Sequence, residues 1–128
     1  MGVNTLVMKN INHEDKDASI KSLESTYSKL SNAYKTMSDK RSNLTLVEKR
    51  RDAVKVGLDS LENIWNDKEF LYSKEEVLES REILKNLMPS IEKQIAKAGK
   101  SSPQKTVNER RLIALELAVE ALDNLLKV

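Results

Sequence analysis

The chain has 128 residues, 39% of them hydrophobic and 33% charged, with a formal net charge of +2 and no cysteine. Disulfides, thiol catalysis and Cys-ligated metal are excluded, and so small a charge implies no general polyanion partner. Three Gly, two Pro and few aromatics argue against a sandwich or barrel, whereas abundant Leu, Lys, Glu, Ser and Ala at helical spacing argue for helices in a single domain.

Residues 1–18 are polar and aperiodic and read as a flexible N-terminal tail, leaving 19–128 as one helical domain. His13, the only histidine, stands there beside Glu14, Asp15 and Asp17, too few convergent ligands for a metal site. Thr5-Leu6-Val7-Met8 is too short for a signal peptide, and no stretch approaches a membrane span. The expectation is a cytoplasmic protein, or one exported without a cleaved leader, and no membrane insertion.

From Ile20 the apolar residues Ile20, Leu23, Tyr27, Leu30, Tyr34 and Met37 alternate steps of three and four, marking one helix face turned to a partner helix. Asp17 or Ser19 is suited to cap its start. Beyond the polar run 38–43 the pattern resumes at Leu44, Val47, Val54, Leu58, Leu61 and Trp65. Two readings stand. Thr45-Leu46-Val47-Glu48 fits a capping box that starts a new helix. Against a break, Leu23, Leu30, Met37, Leu44, Leu58 and Trp65 hold one seven-residue phase, interrupted only by Arg51. Gly57, within the pattern, costs about 1 kcal/mol relative to Ala, which a close helix crossing would justify.

The helix ends near Asn66-Asp67, and Ser73-Lys74-Glu75-Glu76 is a second capping box. Val77, Leu84, Met88, Ile91, Ile95 and Ala98 then form an apolar face, with Pro89 predicting a kink over 85–89. Gly99 is placed to end this helix as its C′ residue. Residues 100–105 form a turn, and Thr106-Val107-Asn108-Glu109 is a third capping box.

In the last helix Glu109, Glu116, Glu120, Asp123 and Lys127 form a narrow stripe. Opposite them, Val107, Ala114, Leu115, Leu117, Ala118, Val119, Ala121, Leu122, Leu125 and Leu126 cover roughly 220° of the circumference, twice what one flat surface needs. This helix must be covered from two sides, by its own chain or by a partner. Leu115, Leu122 and Leu126 are therefore protein-binding candidates, with a second copy of the chain as one partner. The fold class is all-α: an antiparallel bundle of three to four helices over about 20–66, with or without a break near 41–45, then 74–98 and 107–127.

Motifs for chemistry are sparse. Ala98-Gly99-Lys100-Ser101 resembles the end of a phosphate loop, but Gln94 stands where the first glycine is needed. Glu75, Glu76, Glu79 and Glu82 open a helix, where negative charge suits the dipole; no Glu-x-x-His pair accompanies them. The reading is no catalytic residue, no cofactor and no metal, hence a non-enzymatic protein. Lys97, Lys100, Lys105, Arg110 and Arg111 lie in a basic region over 93–111, which makes nucleic-acid binding the alternative class.

Ile64-Trp65 and Phe70-Leu71-Tyr72 bring the only Trp and the only Phe to an elbow between helices. They are core caps or, since Trp and Tyr are favoured anchors, a protein-binding hot spot at Trp65, Phe70 and Tyr72. A short helical chain with a Trp at such an elbow resembles the WXG100-type proteins and helical partners of toxins exported by type VII secretion. The likeness covers 20–98 in architecture and Trp65 in sequence; Asn66 and Asp67 follow Trp65 where the family has x-Gly. It implies a helical partner, adaptor or targeting factor for a secreted protein. Small toxin-immunity proteins offer a comparison by fold alone.

Overall fold

The computed structural model describes residues 11–37, 44–100 and 102–127. Their order is α1 (His13–Met37), α2 (Leu44–Asn66), α3 (Lys74–Lys97) and α4 (Pro103–Leu126), with no strand among the described residues. The all-α antiparallel bundle is what the periodicity predicts, in its four-helix form. α1 lies along α2, which two halves of one continuous helix cannot do. Successive helices run antiparallel. Lys16 near the start of α1 meets Trp65 at the end of α2, while Tyr34 near the end of α1 meets Arg51 in the first half of α2.

Several boundaries differ from the sequence reading. α1 begins at His13, inside the stretch read as tail, because Asn12 caps it: the Asp15 N–H donates to Asn12 Oδ1 at 2.8 Å. Neither Asp17 nor Ser19 caps it; Ser19 is buried within the helix. Residues 1–10 and the polar run 38–43 lie outside the described residues, as does the side chain of Met37. Thr45 is already inside α2, so the box at Thr45–Glu48 does not start it. α4 starts at Pro103, before the box at Thr106–Glu109: Ser102 takes the N-cap position and Pro103 supplies a preset φ and no orphan N–H. The box at Ser73 is formed in full, with Glu76 N–H donating to Ser73 Oγ at 3.1 Å and Ser73 N–H to Glu76 Oε1 at 3.0 Å. α3 continues through Pro89, and its C-cap is the extended Ala98; Gly99 does not adopt the positive φ of a C′ glycine.

α4 packs on α1, α2 and α3, and α2 likewise touches the other three, whereas α1 and α3 share no contact among the described residues. Leu115 and Leu122 are fully buried together with Leu23, Val54, Leu61 and Leu84. The wide apolar face of α4 is thus covered largely by its own chain. Its acidic stripe is not all solvated: Asp123 receives an ion pair from Arg81 of α3, and Glu120 is half-buried. Gly57 sits where α2, α3 and α4 meet. A Cβ there would lie 3.0 Å from Leu84 Cδ1 and 3.1 Å from Ala118 Cβ, so the absent side chain sets how closely α2 and α4 approach. Arg51, the interruption in the seven-residue phase, is accommodated at the edge of the core. Its guanidinium lies 4.8 Å from the Tyr34 ring centre and donates to Asp52 Oδ1, which holds its pKa up.

Candidate protein-binding site

The elbow between α2 and α3 is built by its own local sequence. Asp67 takes a left-handed φ of 56°, a conformation that Asp tolerates better than most side chains, and this ends α2. Lys68 N–H then reaches the Glu62 carbonyl at 3.3 Å, Asn63 Nδ2 donates to the Lys68 carbonyl at 2.7 Å, and Asn66 Nδ2 donates to Glu62 Oε2 at 2.9 Å. At the other end of the turn the Ser73 capping box fixes the start of α3.

Between these two anchors the aromatics turn inward. Phe70 and Tyr72 meet in a tilted pair with ring centres 5.0 Å apart and planes 59° apart, and both pack against the core. Tyr72 donates its hydroxyl to Asp59 Oδ2 at 2.5 Å. Burial and this bond, which needs the phenol protonated, push the Tyr72 pKa up. Trp65 is half-buried against the core, with the Lys16 ammonium 5.9 Å from its ring centre. Three of the residues expected to contact a partner therefore hold the elbow onto the bundle. The residue left facing solvent is Leu71, 82% exposed, with Ile64 at 39% nearby in sequence. Leu71 was visible only as a member of the apolar group; nothing in the spacing marks it as the outward one.

Of the other sequence candidates, Leu115 and Leu122 are fully buried and cannot meet a partner unless the bundle opens. Leu126 is half-buried in the last turn. The basic candidates divide. Lys97 and Lys100 are exposed at the α3–α4 turn, and Lys105 is half-buried just beyond it. Arg110 and Arg111 instead line a cleft between α1 and α4, where Lys21 joins them. Lys21 lies so far away in sequence that only the interhelical register brings it there. Arg111 is half-buried, burial lowers its pKa, and its Nε has no hydrogen-bond partner among the described residues.

Among the described residues His13 pairs with exposed Asp17, Nε2 to Oδ2 at 3.5 Å. Among the described residues no group of three or more His, Cys, Asp or Glu is placed to hold a metal ion, and no helix is long and apolar enough to cross a membrane. Comparison with protein-family models, with curated proteins and with solved structures finds no match.

Proposed function

We propose that this chain is a non-enzymatic protein that works by binding another protein, and that the α2–α3 elbow is its contact surface. The observation that carries the reading is Leu71: a large apolar side chain, 82% exposed, on a turn whose flanks are fixed by hydrogen bonds and whose neighbouring rings are packed. Burying a leucine contributes roughly 1.5–3 kcal/mol. A turn that is already ordered surrenders little further entropy on binding, so more of that energy appears as affinity. The likeness of the Trp65 elbow to helical export partners, and the bundle's likeness to toxin-immunity proteins, both point to a protein as the partner. The division of the basic residues between the turn and the cleft favours that class over nucleic acid.

The test is quantitative. Proteins crosslinked to the wild type are identified, purified and titrated against wild type, Leu71→Ser and a control, Leu46→Ser, which changes a 45% exposed leucine on α2. Leu71→Ser is expected to weaken binding at least tenfold with an unchanged melting temperature, and the control to bind normally. Equal affinity of all three proteins would refute the elbow as the surface.

A further inference from the structure

The α1/α4 cleft has properties that a protein-docking elbow does not explain. Its volume is about 520 Å³, and its walls include Lys21, Ser22, Arg110 and Arg111. That volume falls within the range of small-molecule sites, roughly 300–1,000 Å³. A guanidinium removed from water is costly unless it meets an anion or a full set of acceptors. Arg111 meets neither: its Nε is buried without an acceptor among the described residues, and no carboxylate offsets the effect of burial. Arg111 also lines a cleft whose walls carry a second arginine and, from a different helix, a lysine.

We propose that this cleft binds a compact oxyanion, a phosphate or carboxylate group of a small molecule, with Arg111 as its principal donor and Arg110 and Lys21 as supporting charges. Arginine suits the role because its planar fork presents paired N–H groups to two oxygens of one anion. Glu14 and Asp17 line the same cleft. Their repulsion grows with the number of negative charges bound, so it opposes an extended polyanion more than a single compact anion. The Ser22 and Ser25 hydroxyls, also on the wall, offer hydrogen bonds to neutral oxygens of the same ligand.

The experiment follows backbone amides and the Arg Nε signals by NMR. Inorganic phosphate and, in a parallel arm, acetate replace chloride at constant ionic strength. Saturable shifts centred on 21–25, 107–111 and Arg111 Nε are expected in at least one arm, and the tighter arm identifies the group. Arg111→Ala should lower that affinity at least tenfold, and Lys97→Ala, at the α3–α4 turn, should not change it. Should Arg111→Ala not fold, Lys21→Ala is expected to weaken binding severalfold. Drift that never saturates in either arm, shifts centred on Lys97 and Lys100, or undiminished binding by the cleft variants would overturn the site. None of these results bears on Leu71, so the elbow and the cleft fail separately.

Discussion

Substituting Gly57 by alanine tests the tightest crossing in the bundle, because two opposed effects can be weighed. In an isolated helix the change is favourable by about 0.8–1.0 kcal/mol, and burying one more methyl would add roughly 0.8 kcal/mol. Against this, the new Cβ lies 3.0 Å from Leu84 Cδ1 and 3.1 Å from Ala118 Cβ. Leu84 can turn its terminal methyl only within a packed core, and the Ala118 Cβ is fixed to the α4 backbone, so relief requires α2 and α4 to separate. Overpacking of this kind costs typically 1–3 kcal/mol, and two simultaneous contacts place the cost toward the upper end. The expected net effect of Gly57→Ala is a destabilisation of about 1 kcal/mol, a fall in melting temperature of roughly 3–5 °C. Urea unfolding followed by circular dichroism measures it. Gly99→Ala is the internal control: among the described residues nothing lies within 4 Å of a Cβ placed there, and its φ is not positive. It should stabilise by about 0.4–1 kcal/mol. Adding Ala118→Gly to Gly57→Ala removes the Ala118 contact but not the Leu84 one, so the double change should be less destabilising than the sum of the single changes by roughly 1–2 kcal/mol. A stabilising Gly57→Ala, or additive single changes, would refute the close crossing.

Leu115→Ala should cost about 2–5 kcal/mol in the same urea assay, since the side chain is fully buried and its neighbours span helices that cannot all collapse inward; a loss below 1 kcal/mol would show that the site is less enclosed. Glu120 carries a carboxyl whose pKa is raised, first by burial and then by Asp123. With the folded pKa above the unfolded one, the native state holds the proton more tightly, so this group lowers stability as pH rises from the unfolded pKa through the folded value. Glu120→Gln should therefore raise stability at pH 7, by roughly 0.5–1 kcal/mol on the usual scale of single substitutions, with a smaller gain near pH 4. Denaturation midpoints at the two pH values check it, and a gain that is larger in acid would contradict the sign.

The bundle was legible because its signals are local or periodic. The Ser73 box needs only a serine and a glutamate three residues on, and it forms. The width of the apolar face on α4 announced that several surfaces must cover it, and three helices do. Other signals of the same kind misled where a competing start was available. The box at Thr106 lost to Ser102-Pro103, and the Asn12 cap lay in a stretch too polar to look helical. The seven-residue phase across α1 and α2 was no guide to continuity, because α1 and α2 each bury one face in the same core. The cleft was not legible at all. Arg111 stood in the sequence as one member of a basic run, and its desolvation depends on where α1 docks.

α1 buries Leu23, Ser19 and Thr26, and among the described residues it has no contact with α3, so α2 and α4 hold it in place. A helix held on two sides only can be released as a unit, leaving α2, α3 and α4 together around Gly57. One wall of the anion cleft leaves with it. Occupancy of the cleft and seating of α1 are then a single linked equilibrium, in which an anion at Arg111 acts as a latch on the helix. Release of α1 would also free the Lys16 ammonium from the Trp65 ring.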